Sequence, residues 1–298
     1  MTHGGIAPVD AFKRVLAERF GSPITDHGAK FRSASPFPHV VVDDVLDLDT
    51  EAVESFPTAD WSHWASLGTS YERFKFVCPN RWLIPAPWGE VLDELQSGPF
   101  LQLLERITGI ERLIPDPYLE GGGLHLSTGG GILAPHTDFH LYRRLGLYRR
   151  VNILVYLNPV WRPGDGGELE LMHAKRPDNK VRIDPRWGRC VIFETSDISV
   201  HGFTNPVRQG AVRRSLALYY YTSTEATLFS GDATTHWREH GIHHGMASAR
   251  MVTSAALMHI SRGFSLLAHL ANPNQGLAWW ETRKERLRKH GSIQTGSG

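Results

Sequence analysis

Residues 136–138 read His-Thr-Asp, and further along the chain stand His201 and the stretch Arg213–Thr222, RRSLALYYYT. Taking these as parts of one site decides the fold. Side chains alternate faces along a strand, so His136 and Asp138 point the same way and can reach one cation together. His201 would complete the set. Two neutral imidazoles and one carboxylate on one side of a metal leave its other positions open, an arrangement that suits non-haem Fe(II). The triplet alone is a weak signal: with 16 histidines in the chain, roughly 0.8 His-x-Asp matches arise by chance.

Context raises its weight. Asn152 to Asn158 (NILVYLN) and Cys190 to Glu194 (CVIFE) read as strands, and Gly166 to Leu169 as a turn into another. His201 follows CVIFE after a short polar turn, and Arg213 to Thr222 is the strongest β pattern in the chain.

In these motifs the chain resembles the Fe(II) and 2-oxoglutarate-dependent dioxygenase superfamily, and within it the prolyl 4-hydroxylase-like group. The likeness runs over residues 120–222, and more weakly upstream through Pro36-Phe37-Pro38 and Leu104 to Asp116. The resemblance implies that His136, Asp138 and His201 are metal ligands. It also implies that Arg213 and Ser215 bind the distal carboxylate of 2-oxoglutarate, assisted by Tyr156. Strand alternation separately selects Arg213 over Arg214, since Arg213 shares a face with Ser215 whereas Arg214 shares one with Leu216 and Leu218. The implied cofactor is Fe(II), and the co-substrates are 2-oxoglutarate and O2. Oxidative decarboxylation would release succinate and carbon dioxide and drive attack on an unactivated C–H bond. Related halogenases lack the carboxylate ligand, so Asp138 favours hydroxylation. Ring closure, epoxidation and desaturation stay open.

The expected architecture is mainly β with flanking helices, a double-stranded β-helix (jelly-roll, cupin-like) core. One oxygenase domain over 1–298 would comprise a bracing region (1–119) with a candidate substrate lid (61–82), the core (120–222) and a helical extension (223–298). No internal repeat or long linker divides it. A composition of 41% hydrophobic and 21% charged residues suits a globular protein with ample core. Net charge +1 gives no global pull towards nucleic acid or anionic membranes. Cys78 and Cys190 are too few for a disulfide framework, and Met1 to Gly21 lacks a secretory pattern, so a cytoplasmic setting is expected.

Pro8 to Phe20 reads as a helix closed by Gly21. Pro36 to Val45 reads as the opening strand, running into a solvated acidic turn at Asp43 and Asp44. Trp61 to Trp82 shows no sustained period and reads either as a substrate lid or as a surface loop with packed aromatics. Val91 to Gln96 and Phe100 to Thr108 read as helices split by Ser97-Gly98-Pro99. Gly121 to Gly123 and Gly129 to Gly131 lack the Gly-Lys-Ser/Thr of a phosphate loop and instead shape the strand leading to His136. His125 and His140 are expected in polar pocket or surface roles, because the ligand set is already filled. Arg143, Arg144, Arg149 and Arg150 crowd a connection where they would steer an anionic substrate or form a solvated face. Arg149, Asn152, Trp82 and Arg81 are the candidate substrate contacts.

Beyond Thr222, His236, His240, His243 and His244 lack the spacing of a metal site. Arg250 to Leu270 reads as an amphipathic helix that covers the sheet or joins a second subunit as a homodimer, and its charges exclude a membrane span. Trp279-Trp280 and Arg283 to His290 read as a basic helix end. Three function classes follow: an oxygenase of a small metabolite such as an amino acid or sugar-containing compound, a peptidyl or ribosomal-protein prolyl hydroxylase, and a non-catalytic metal-binding jelly-roll or zinc hydrolase.

Overall fold

The computed structural model describes residues 24–48, 50–224 and 235–238, together with the single positions 253, 256, 257, 260, 264 and 267. In chain order the elements are α1 (Ile24–Ser33), β1 (His39–Val42), α2 (Thr50–Glu54), β2 (Ala65–Leu67), β3 (Glu72–Cys78), α3 (Ala86–Leu95) and α4 (Gly98–Thr108). Then follow β4 (Ile114–Pro115), β5 (Gly123–Thr137), β6 (Leu141–Tyr142), β7 (Leu147–Tyr156), β8 (Leu169–His173), β9 (Arg176–Ile183), β10 (Cys190–Glu194), β11 (Ser199–Phe203), β12 (Arg213–Thr222) and β13 (His236–Trp237).

The strands form one antiparallel sheet in the order β1-β10-β7-β12-β5-β11-β8-β9. Its hinge is β5. The first part of this long strand pairs with β12, Leu124 to Leu216 and Ser127 to Arg213, while its end pairs with β11, His136 to His201. One strand thus belongs to two layers, and the sheet curls into the expected jelly-roll. β3 and β13 extend it by pairing with β5.

Alternation assigns each strand's two faces. Leu124 and Leu126, Val151, Ile153 and Val155, and Leu216, Leu218 and Tyr220 point outward into a core completed by Trp88, Val91, Leu92 and Leu95 of α3 and by Phe100, Leu104 and Ile107 of α4. The intervening residues face the opposite way, towards a cavity. A smaller cluster of Phe37, Tyr156, Leu169, Leu171, Ile183, Val191 and Phe193 closes the space between the layers. The helices earn their places by burying one face each. α4 starts at the Ser97 cap with Pro99 in its first turn and stops at Gly109, whose φ is 73.

The two helices expected around Pro99 are present, the first beginning at Ala86. Pro8 to Phe20 lies outside the described residues, as do His240, His243, His244 and the basic stretch after Trp279. The chain divides into two compact units, Met1–His240 and Gly241–Gly298. Since β13 pairs with β5, the first unit's sheet extends past the boundary expected at residue 222. In the second unit Leu257, Ile260, Phe264 and Leu267 are helical and exposed. Among the described residues no helix is long and apolar enough to cross a membrane.

Candidate active site

His136, at the end of β5, and His201, on β11, are cross-strand partners, and Asp138 follows one residue past β5. All three are buried, and their ligand atoms lie within 4.8 Å of one another. Hydrogen bonds fix the rings. His136 Nδ1 lies 2.9 Å from the Ala134 carbonyl and His201 Nδ1 lies 3.3 Å from the Ser199 carbonyl. A ring N–H donating to a carbonyl leaves the lone pair on Nε2, so both Nε2 atoms are free to ligate.

The carboxylate is held as firmly. Asn152 Nδ2 donates to Asp138 Oδ2 at 2.7 Å, Arg149 Nη2 forms an ion pair with the same oxygen at 3.1 Å, and Arg149 Nε donates to Asn152 Oδ1. Charges follow from these contacts. Burial first, then His201, pushes His136 down to about 3. Burial also lowers His201, against the pull of Asp138. Burial works to raise Asp138, but Arg149 first and then the two imidazoles and Asn152 outweigh it and hold the carboxyl at about 2. At neutral pH the set is two neutral imidazoles and one carboxylate, the donors an Fe(II) site with open positions requires.

On the same cavity wall stand Arg213 and Ser215, with Tyr156 buried behind them across the β12–β7 pair. Arg213 Nε donates to the Gly167 carbonyl at 2.8 Å and Nη2 donates to Tyr156 Oη at 2.9 Å. Gly167 has φ 76, and a Cβ there would stand 3.0 Å from Arg213 Cδ. Glycine is what lets the guanidinium settle against that turn. Burial raises Tyr156, so its hydroxyl stays protonated. Ser215 Oγ is buried with no hydrogen-bond partner. A free guanidinium edge, a phenol proton and an orphan hydroxyl fit one carboxylate of 2-oxoglutarate.

The cavity, about 220 Å³, is lined by His136, Asp138 and His201 and by Arg213 and Ser215, with Phe193, Phe203, Leu133, Leu154 and Leu169 supplying apolar walls. Two of the four candidate substrate contacts are not brought to it. Trp82 is 92% exposed, and Arg81 is paired bidentately with Asp93. Arg149 and Asn152 do line it, but both are engaged with Asp138. Instead of belonging to a solvated arginine face, Arg149 is 2% exposed, lies 3.4 Å from the Tyr219 ring centroid and shields the carboxylate. His125 lines the cavity, as a polar pocket residue should; His140 is buried but does not reach it.

Sequence reasoning missed Glu72, Tyr219 and Trp237 on the cavity wall. Trp237 lies against His136, ring centroids 4.7 Å apart, and stacks on Tyr71. Within the candidate lid β2 and β3 form a hairpin, and Trp61 and Trp64 pack on the core.

Residues 122–221 match the model of the 2OG-Fe(II) oxygenase superfamily. That segment, about a third of the chain, is similar to a 2OG-Fe(II) oxygenase core. A prolyl 3-hydroxylase, OGFOD1, of Xenopus laevis is 32% identical over 77 residues, covering 24% of this chain and 15% of that protein. The chain thus matches only a small part of that curated relative's length. Among solved structures, a Pseudomonas putida prolyl-4-hydroxylase shares 19% identity at TM-score 0.45, covering 66% of this chain and 98% of that one. A Trichoplax adhaerens prolyl hydroxylase, in complex with a hypoxia inducible factor peptide fragment, shares 16% at TM-score 0.48, covering 74% and 94%. The superfamily's description names Fe(II) and 2-oxoglutarate, and the donor set and the clamp described above fit both.

Proposed function

We propose that the protein is an Fe(II)- and 2-oxoglutarate-dependent dioxygenase that hydroxylates an unactivated C–H bond of a small polar metabolite, such as an amino acid or a sugar-containing compound. One observation carries this reading: a metal-ligand set and the Arg213–Ser215 pair face the same cavity. His136, Asp138 and His201 hold Fe(II), and Arg213, Ser215 and Tyr156 hold the distal carboxylate of 2-oxoglutarate. When bound, the iron with its two co-substrates supplies the oxidant that takes hydrogen from carbon.

The protein's part is placement. Asn152 and Arg149, expected to touch substrate, instead steady one oxygen of Asp138 and leave the other for the metal. The Ala134 and Ser199 carbonyls keep the imidazoles in the ligating tautomer. Phe193, Phe203 and Leu154 keep water from the reacting centre.

A second reading, a peptidyl or ribosomal-protein prolyl hydroxylase, is favoured by the match to a prolyl 3-hydroxylase. A zinc hydrolase or simple binding protein leaves the carboxylate clamp without a use. The test is anaerobic titration of metal-free protein with Fe(II) and 2-oxoglutarate. A weak visible charge-transfer band that needs both ligands, and fades in Arg213→Ala, is the expected result. Folded protein that binds a divalent metal but gives no band would move the assignment to the zinc or binding class.

A further inference from the structure

The cavity has a wall that neither the ligand set nor the clamp uses. Glu72 and Lys75, on β3 and outside the matched segment, line it and form an ion pair at 2.8 Å, their side chains 14% and 11% exposed. In a regular strand, residues three apart face opposite ways. Between these two, however, Phe74 has φ 50, and the pairing with β5 jumps from Arg73–Ile132 to Lys75–Ser127. This bulge resets the alternation and turns Glu72 and Lys75 to one face. Phe74 is itself exposed, so burial of its ring does not account for the strained backbone. The strain serves the placement of its neighbours.

The pair is half satisfied. Among the described residues its one side-chain hydrogen bond runs from Lys75 Nζ to Glu72 Oε1, leaving two ammonium N–H groups and Oε2 without a partner there. Taking an ion pair out of water is unfavourable unless its remaining donors and acceptors are met. A third group adjoins it. His125 pairs with Val77, two residues along the ladder from Ser127–Lys75 and so on the same face, and its Nε2 is buried and unpartnered. The ring bonds the Gly121 and Gly122 backbone, which leaves Nε2 as an acceptor for an ammonium or hydroxyl hydrogen.

The ion pair is neutral as a whole. A simple anion would be repelled by Glu72, and a simple cation by Lys75. A ligand carrying both charges a few bonds apart satisfies both ends with charge-assisted hydrogen bonds. We propose that this wall recognises the substrate and that the substrate is a free α-amino acid, or a compound with an intact α-amino acid group, its carboxylate taken by Lys75 and its ammonium by Glu72 and His125. The inference rests on the oxygenase reading above and narrows its substrate. Residues inside a peptide carry neither backbone charge, so it also separates the two substrate classes.

The test is calorimetric binding to the full-length protein loaded with Mn(II) and 2-oxoglutarate, using the twenty free L-amino acids and their N-acetyl amides. At least one free amino acid should bind while its capped counterpart does not. Glu72→Gln and Lys75→Gln should each weaken that binding by about tenfold, the loss of one charge-assisted contact, with 2-oxoglutarate affinity and melting temperature retained as the check on folding. Equal binding of free and capped forms, undiminished binding in both variants, or no amino acid binding to loaded protein would each overturn the inference and leave the oxygenase reading standing. Protein that takes up neither Mn(II) nor 2-oxoglutarate would overturn both.

Discussion

Asp138 works through an unequal division of its two oxygens. Oδ2 receives Asn152 and Arg149, so Oδ1 is the oxygen kept for a metal. Arg213 divides its donors in the same way, with Nε on the Gly167 carbonyl, Nη2 on Tyr156 and Nη1 left for a ligand. A lysine offers a charge but not this planar fork. Arg213→Lys should therefore weaken 2-oxoglutarate binding by about 1.5–3 kcal/mol, read as a shift in its dissociation constant by calorimetry. An unchanged constant would remove Arg213 from the clamp. The buried histidines make a second prediction, for metal-free protein. His136 is held at about 3, and His125 and His201 are lowered as well, burial being the largest cause each time. Unfolded histidines take up protons near pH 6.5 while these do not, so the unfolded state binds more protons below that pH. Their contribution is complete above pH 6.5 and is lost as the pH falls towards 3. The urea midpoint should drop between pH 7 and pH 5 with unchanged slope, and a midpoint that held constant would contradict the assigned neutral state.

At the scale of the element, β12 shows how one strand serves two purposes. Ser215 and Arg213 face the cavity, while Leu216, Leu218 and Tyr220 face the helices. Two substitutions at adjacent positions should consequently separate. Leu216→Ala should destabilise the fold by about 2–5 kcal/mol, whereas Ser215→Ala should weaken 2-oxoglutarate with little change in the urea midpoint. If both variants lost stability alike, the alternation would be wrong. β5 depends on a glycine of a different kind. Gly123 has φ 93, and a Cβ there would lie 2.2 Å from the Cys78 carbonyl of β3. Gly123→Ala should cost more than about 2 kcal/mol, because backbone strain and backbone overlap act together, as equilibrium unfolding would report. The element-level reading succeeded where period and burial agree, as at Cys190–Glu194 and Arg213–Thr222. It did not find β3, whose bulge breaks the period, so that the segment read either as a lid or as a surface loop with packed aromatics.

For the first unit of the molecule, the site ties the two layers together. His136 on β5 and His201 on β11 meet where the sheet curls, and Asp138 connects them to Arg149 on β7. A metal bound there takes ligands from β5 and β11 that meet in the folded state alone, so it must stabilise that state by linkage. With Mn(II) as a stand-in at a hundred times its dissociation constant, the gain should be about 2.7 kcal/mol, seen as a raised melting temperature. Asp138→Ala should abolish the gain, and a variant still stabilised by Mn(II) would place the metal elsewhere.

What the sequence determined by itself was the chemistry along single strands: the His-x-Asp pair on one face, the returning histidine, and Arg213 in step with Ser215. Those features are local, because strand alternation is a property of the backbone and needs no partner. Only the tertiary structure decided which groups meet across the fold. It drew Arg149 out of a basic surface run to neutralise Asp138, left Trp82 in solvent, and turned Glu72 and Lys75 inward through one left-handed residue. These outcomes depend on register, a bulge and burial. They are properties of paired strands and closed layers, which no window along a single strand contains.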